Sequence, residues 1–268
     1  MTTDTTMTPH TTMTPHTTPV TLVVGAGSGI GQATAVRAAE GGADVILTYR
    51  SNEDGALETV RRVEEAGRRA AALPLDVGDS AGFGAFRAAV EEVLAGWGVR
   101  QVTGLVNNAG TGGGTPFPEL TEEQLDRTYR VLFRGPYVLT QTLLPLIADG
   151  GSIVNTASSS AAAYGLTEGY SAYGSMKGAV IVLSRYLAKE LSGRGIRVNS
   201  VSPGPTRTRL GGGAFDRYPE LIPPLAQRTA LGRIGESDDI GAVIAFLLSD
   251  AARWITAQDL VVSGGFDL

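Results

Sequence analysis

Seven short apolar runs limit what this chain can become: VTLVVG (20–25), DVILTY (44–49), AAALPLD (70–76), GLVNNAG (104–110), GSIVNTAS (151–158), IRVNSVSPG (196–204) and DLVVSGG (259–265). Most lack the apolar–polar alternation of a strand with one wet face, so they are expected to be strands buried on both sides. Longer stretches of helical spacing separate them, among them 54–66, 80–95, 121–147, 170–192 and 237–249. Strand and helix in alternation predict a parallel sheet with helices on both faces, a doubly wound α/β architecture. At 268 residues and 43% hydrophobic content, the chain is long enough for one such domain with a large core. No polar linker interrupts the alternation, so a single domain is expected over 19–268.

Residues 1–18 are different in kind. MTTDTTMTPHTTMTPHTT repeats TTMTPH at 5–10 and 11–16 and has almost no apolar bulk, which predicts a disordered tail. The tail lacks the basic start and apolar stretch of a secretory signal, and no later run of about 18 apolar residues follows. A cytoplasmic protein without a membrane span is therefore expected. The net charge of −5 comes without a dense Lys/Arg cluster, which argues against a nucleic-acid partner. There are no cysteines, and both histidines, His10 and His16, fall in the tail. Disulfides, thiolate metal sites and cysteine nucleophiles are thereby excluded, and a Ser/His/Asp triad or a histidine-ligated metal would require the tail to dock. No metal is expected, and acid–base chemistry in the folded part falls to Tyr, Lys, Asp, Glu, Ser or Arg.

The first strand runs into Gly25-Ala26-Gly27-Ser28-Gly29-Ile30-Gly31 and then into the helical QATAVRAAEGG. Glycines at this spacing permit a sharp turn and close approach to a pyrophosphate, while the helix N-terminus offers free N–H groups to the anion. The spacing is GxxxGxG, not the GxGxxG of the common dinucleotide fingerprint. It resembles the loop of the classical short-chain dehydrogenases/reductases, and further motifs extend the resemblance from about residue 19 to the end: LDV at 75–77, NNAG at 107–110, GSIVNTAS, a Tyr/Lys pair and SPGPTRT at 202–208. The resemblance implies a Rossmann-like domain with a seven-stranded parallel sheet and a nicotinamide cofactor.

An acid about 20 residues after the glycines would bind the ribose hydroxyls, and Asp44 has that spacing. It begins the second strand, however, about 16 Å from the carboxyl end where the cofactor belongs, at about 3.3 Å per residue. Tyr49, Arg50 and Ser51 stand at the proper end, with no carboxylate among them. Arg50 offers a 2′-phosphate a charge-assisted fork, so NADP(H) is expected over NAD(H). By resemblance, Asp76 holds the adenine amino group with Val77 beside it, and Asn107, Ala109 and Gly110 line the adenosine side. Pro203, Gly204, Thr206 and Thr208 would face the carboxamide and pyrophosphate.

Residues 169–178, GYSAYGSMKG, hold two tyrosines ahead of Lys177. Positions four apart share a helix face, so Tyr173 and Lys177 reach toward one site, and Tyr170 lies near that face. A phenol titrates near pH 10; lowering it by about three units takes about 4 kcal/mol, much of which a nearby ammonium in a partly dry pocket supplies. The YxxxK spacing of Tyr173 resembles carbonyl-reducing family members, and the YxxxxxxK spacing of Tyr170 resembles divergent enoyl reductases. The context AYGSMKGAV favours Tyr173 as the proton-transfer residue, with Tyr170 as pocket wall or helix packing. For the serine that orients the substrate oxygen, strand register selects Ser158 and loop length selects Ser160; register is the stronger constraint. The departure from the family is Leu132, within Val131-Leu132-Phe133, where an Asn usually helps hold a water that links the lysine to solvent. Leucine cannot hydrogen-bond, which leaves a backbone carbonyl with water, a slow proton supply, or lost chemistry.

Residues from about 204 to 232, with a triple glycine and Pro223-Pro224, suggest a lid. Phe215, Tyr218, Leu221 and Ile222 within it suggest a moderately apolar small-molecule substrate. Arg207 and Arg209 are available to an acidic group or the cofactor phosphate. By family analogy, helix 170–192 and the terminal DLVVSGGFDL form subunit interfaces of a homotetramer. The expected activity interconverts a carbonyl and an alcohol; the alternatives are carbon–carbon double-bond reduction through Tyr170, and a cofactor-sensing binding protein whose chemistry has decayed.

Overall fold

The computed structural model describes residues 18–162 and 166–268, so the tail read from residues 1–18 lies almost wholly outside the described residues. All seven apolar runs form strands: β1 (Val20–Val24), β2 (Asp44–Tyr49), β3 (Ala70–Pro74), β4 (Val102–Asn107), β5 (Ile147–Thr156), β6 (Arg197–Pro203) and β7 (Asp259–Val262). They make one parallel sheet in the order β3-β2-β1-β4-β5-β6-β7. The doubly wound α/β expectation is met. The order reverses between β1 and β4, and such a switch opens a crevice at the carboxyl ends of the strands.

Strand alternation divides the core into two layers. Val20, Leu22 and Val24 of β1 face a cluster with Phe83, Phe86, Val90 and Leu94 of α3 (Phe83–Gly96), Leu139 and Leu143 of α5 (Gly135–Leu143), and Ala188 of α6 (Ser171–Glu190). Val23 faces the other layer, with Ala35 of α1 (Gly29–Glu40), Ala56 and Val63 of α2 (Glu53–Glu65), and Ile240, Ile244 and Leu247 of α9 (Ser237–Leu248). Burial on both faces explains why the strands carry no polar alternation.

The stretch 121–147 is not one helix. It begins as α4 (Glu122–Tyr129), passes through a π-helical turn at Arg130–Arg134, resumes as α5 and ends at Leu143; Ile147 already belongs to β5. The sequence supplies a reason, because Pro136 has no N–H to return to the carbonyl of Leu132 four residues back. The Gly135 N–H reaches back five residues instead, to the Arg130 carbonyl. The segment after β6 contains two short helices that apolar periodicity did not mark, α7 (Leu210–Arg217) and α8 (Ile222–Gln227). No helix among the described residues is long and apolar enough to cross a membrane, and none of their His, Cys, Asp and Glu side chains group in a way that could hold a metal ion.

Asp44 anchors the amino end of β2, far from the crevice, as its place in the strand implied. Its carboxylate is buried (1% exposed) and accepts from Arg68 Nη2 at 2.7 Å, Arg69 Nε at 2.7 Å and the Arg69 backbone N–H at 3.0 Å. Burial alone would raise its pKa, but these bonds and the two positive charges outweigh it and hold the carboxyl below its ordinary value near 3.8. Breaking a fully buried pair costs roughly 3–5 kcal/mol; both arginines are partly solvated here, so Asp44→Asn is expected to cost about 2 kcal/mol in urea unfolding. Because the folded pKa lies below the unfolded one, this contribution is present above about pH 4 and fades as pH falls through the folded value. The deficit of the variant should therefore shrink in acid; a deficit unchanged down to about pH 2.5 would mean that the charge is not what stabilises.

Candidate active site

The loop from Gly25 to Gly31 is held from beneath by its own carbonyls. Asn108 Nδ2 donates to Gly25 O at 2.9 Å, Thr59 Oγ1 to Ala26 O at 2.8 Å, and Asn52 Nδ2 to Gly27 O at 2.6 Å, while Gly25 N–H donates to Thr48 Oγ1 at 2.9 Å. A Cβ on Gly25, which has φ +83, would stand 2.6 Å from Ala109 Cα, and one on Gly31 would stand 2.2 Å from Gly25 O. Only glycine lets the turn pack this closely on β4 and on itself. Ile30 packs into the core layer of α1.

The start of α1 is left bare. Ser28 stands at its N-cap without a side-chain cap bond, and no acid lies in its first turn. Three other starts are dressed: Asn52 caps α2 ahead of Glu53 and Asp54, Thr121 and Gln124 form a capping box on α4, and Glu236 and Asp239 form one on α9, whereas α6 shares the bare start of α1. An uncapped helix start behind a glycine turn presents unpaired N–H groups and the positive end of the helix dipole, which suits a pyrophosphate. A cleft of about 390 Å³ opens there, lined by Gly27, Ser28, Gly29, Arg207, Thr208 and Asp216 among others. It lies along the glycine loop and does not reach Tyr173.

At the carboxyl end of β2, Arg50 and Ser51 are exposed, and Arg50 makes no hydrogen bond or ion pair among the described residues. One expectation needs correction: a carboxylate does stand at this end. Glu53, at the first position of α2, accepts from the Tyr49 hydroxyl at 3.0 Å, a bond that raises the phenol's pKa. It escaped attention because it lies on the following helix and not on the strand. Asp76 is exposed and turns its Oδ1 to the Gly78 N–H at 2.8 Å, with Val77 buried beside it. Asn107 does not face the adenosine side with its side chain. It is buried, with Nδ2 donating to Thr140 Oγ1 at 2.9 Å and to Asn155 Oδ1 at 2.8 Å; Asn155 in turn donates to Ser184 Oγ at 2.9 Å. Gly110 lies against Leu132, and Pro203 and Gly204 end β6, where a Cβ on Gly204 would stand 2.7 Å from Ser263 Cβ. Thr206 is buried with Oγ1 on Gly204 O at 2.9 Å, and Thr208 lies over Gly29.

Ser158, Tyr173 and Lys177 come together. Ser158 follows β5 in extended conformation; its Oγ accepts the Ser160 N–H at 3.1 Å, and its hydroxyl is near enough to the Tyr173 phenol to favour the phenolate. Ser160 packs its carbonyl and Cβ over Gly174. Lys177, one turn beyond Tyr173 on α6, is 5% exposed, with Nζ donating to Thr156 O at 2.6 Å and standing 5.8 Å from the centre of the Tyr173 ring. It has no carboxylate partner among the described residues. Burial pulls the ammonium down to about 8. Burial pushes the Tyr173 phenol up, the Ser158 hydroxyl works against that shift, and Tyr170 adds slightly to it. The Tyr170 ring stands edge-on to Tyr173, with centres 5.7 Å apart.

Two residues missed in the sequence join these halves. Thr156, whose carbonyl holds Lys177, turns its hydroxyl to Asn108 Oδ1 at 3.4 Å, and Asn108 carries the Gly25 carbonyl. Their position at the ends of β4 and β5 was the available signal. Leu132 is 1% exposed in the core layer against which Tyr173 and Met176 pack, so the side chain at this position is purely apolar filling.

A family model described as enoyl-(acyl carrier protein) reductase matches residues 25–267. An uncharacterized oxidoreductase of Methylorubrum extorquens is 38% identical over 246 residues, 92% of this chain and 96% of that protein. LugOII, described as a promiscuous reductase that catalyses keto-reduction at C1 during lugdunomycin biosynthesis, superposes with a TM-score of 0.88 at 38% identity, covering 93% of this chain and 98% of its own. The angucycline C-6 ketoreductase LanV with bound NADP superposes with a TM-score of 0.87 at 33% identity, covering 93% and 95%. Matched over nearly its whole described length, the chain belongs to the short-chain dehydrogenase/reductase family of NAD(P)-dependent oxidoreductases.

Proposed function

We propose that this enzyme is an NADP(H)-dependent ketoreductase that interconverts a carbonyl and an alcohol on a small to medium, moderately apolar substrate. One observation carries the reading: a buried ammonium with no carboxylate partner among the described residues lies one helical turn from a phenol, 5.8 Å from the centre of its ring. An unpaired buried charge is costly to keep, and a cleft is where such a cost serves chemistry. A bound nicotinamide supplies or takes up the hydride. Ser158 holds the substrate oxygen, and Tyr173 gives it a proton in reduction and removes one in oxidation. Lys177 favours the phenolate left behind. The proton returns through Lys177 and a water on a backbone carbonyl of the π turn; Pro136 leaves the Leu132 carbonyl without its usual helical donor, and the turn packs against α6.

The bare start of α1, Thr206 and Thr208 suit the pyrophosphate, and Asp76 with Val77 suits the adenine. Unpaired Arg50 supports a 2′-phosphate, as does the NADP bound in LanV; Glu53 weighs the other way, with one oxygen occupied by Tyr49. Exposed Phe117, Leu166, Leu210, Tyr218 and Leu221 lie on the segments that follow β4, β5 and β6, and support an apolar substrate under a lid over about 204–232. LanV, a C-6 ketoreductase, has been solved with NADP and rabelomycin, which makes a ketone a reasonable first probe. Assembly into a homotetramer draws support from an apolar groove on α6, where Val182 and Tyr186 are exposed beside Phe133 and Tyr137. The name of the matching family model favours a second reading, in which Tyr170 serves the reduction of an enone.

Three measurements test the proposal. With NADPH, α-tetralone, a β-keto ester and cyclohexenone as probes, Tyr173→Phe should lower ketone reduction by about a hundredfold or more while NADPH still binds. Loss in Tyr170→Phe alone would transfer the role, and tight NADPH binding without turnover of any probe would favour a sensor. Arg50→Ala should lower kcat/KM for NADPH by about tenfold and leave NADH within about twofold, because only the phosphate forks with the guanidinium; an unchanged NADPH/NADH ratio would sink the preference. Below a pKa of about 8, Lys177 is charged and supports the phenolate, and above it that support is gone. The kcat/KM for NADPH, which follows the free enzyme, should therefore be level to about pH 7 and fall above about pH 8, with the fall abolished in any active Lys177→Arg enzyme. A profile without a break between about pH 7 and 9 would refute this role for the charge.

A further inference from the structure

Tyr170, the tyrosine not assigned the proton, is packed between the segment after β4 and its neighbour Tyr173. The segment after β4 reads Thr111-Gly112-Gly113-Gly114-Thr115, and the segment before α6 ends in Gly169-Tyr170. Thr115 N–H donates to Gly169 O at 2.9 Å. Gly169 has φ +86, and a Cβ there would stand 3.4 Å from Thr115 N. A Cβ on Gly114 would stand 3.0 Å from Tyr170 Cε2 and 3.2 Å from Cδ2, so the backbone of Gly114 lies directly on the ring. The backbone of Tyr170 is fixed as well, with its carbonyl accepting the Gly174 N–H at 2.7 Å in the first turn of α6. The same ring meets Tyr173 edge-on at 5.7 Å and 85°. Its hydroxyl has no hydrogen-bond partner among the described residues.

We propose that Tyr170 is a positioning residue: its ring, seated on Gly114 and edge-on to Tyr173, holds the proton-transfer phenol in its working rotamer. The segment after β4 thereby sets the geometry of a residue on α6 that it does not adjoin in sequence. Ring contact, and not the Tyr170 hydroxyl, does this. A side chain at 114 would press its Cβ against the ring at 3.0 Å, so the ring would have to shift by a few tenths of an ångström, which loosens its brace on Tyr173. The inference rests on Tyr173 as the proton-transfer residue.

The test compares Tyr170→Phe, Tyr170→Leu and Gly114→Ala in steady-state reduction of α-tetralone by NADPH, with Tyr173→Phe as the reference and thermal unfolding as a check that each variant folds. Tyr170→Phe keeps the ring and should hold kcat within about twofold of the parent enzyme. Tyr170→Leu and Gly114→Ala should lower kcat by about tenfold or more, the scale expected of a misplaced catalytic group, with KM for α-tetralone and Kd for NADPH changed less than about twofold. If Gly114→Ala does not fold, Tyr170→Leu alone decides. Equal loss in Tyr170→Phe and Tyr170→Leu would place the function in the hydroxyl and overturn the inference. So would a rise in KM at constant kcat, which would make the ring a substrate wall only, or full kcat in the leucine and alanine variants. Turnover retained in Tyr173→Phe would bring down the underlying assignment instead, whatever the other variants do.

Discussion

A helix start without a cap is the constraint around which the cofactor end of this fold is arranged. The carbonyls of Gly25, Ala26 and Gly27 are each taken by a side chain from Asn108, Thr59 or Asn52, which holds the loop in place at the start of α1. Such N–H groups are normally satisfied within the chain, as they are at the starts of α2, α4 and α9. Here the sequence withholds the cap and the acids, and the fold surrounds the vacancy with glycines whose missing side chains allow β1, β4 and α2 to close in. The free energy forgone in the helix cap would be recovered if the proposed cofactor pyrophosphate bound there.

A second tension lies at Lys177. Its ammonium is buried and held by a single backbone carbonyl, so its charge is only marginally favoured near neutral pH. A carboxylate partner would remove that tension and also neutralise the field at Tyr173. Leucine at 132 sharpens the arrangement, because the wall that packs beside the lysine's neighbours is wholly apolar. The π turn offsets this by interrupting helical hydrogen bonding at the point where a polar side chain is missing.

Much of this was legible in the chain. Parallel strands buried on both faces announce themselves locally, as unbroken Val/Ile/Leu runs, and all seven were found within a few residues of their ends. Glycine loops and an i, i+4 Tyr/Lys pair are likewise short-range signals. What escaped detection depended on contacts between distant segments. Glu53 reaches the cofactor end from the next helix, Asn107 turns inward because Thr140 and Asn155 await it, and Asn108 acquires its place only once β4 lies beside β1. The helices α7 and α8 evaded apolar periodicity because glycines and prolines occupy positions where an apolar face would show.

The bridge from Lys177 through Thr156 and Asn108 to Gly25 joins the two halves of the site through backbone carbonyls and side chains at strand ends. The exposed apolar residues proposed to meet a substrate lie on the segments after β4, β5 and β6. The hydrogen-bonded frame from Lys177 to Gly25 thus stands apart from those exposed apolar side chains, yet Ser158 and Gly114 sit on the same segments, so a loop rewritten to admit a new ketone would have to keep these two positions.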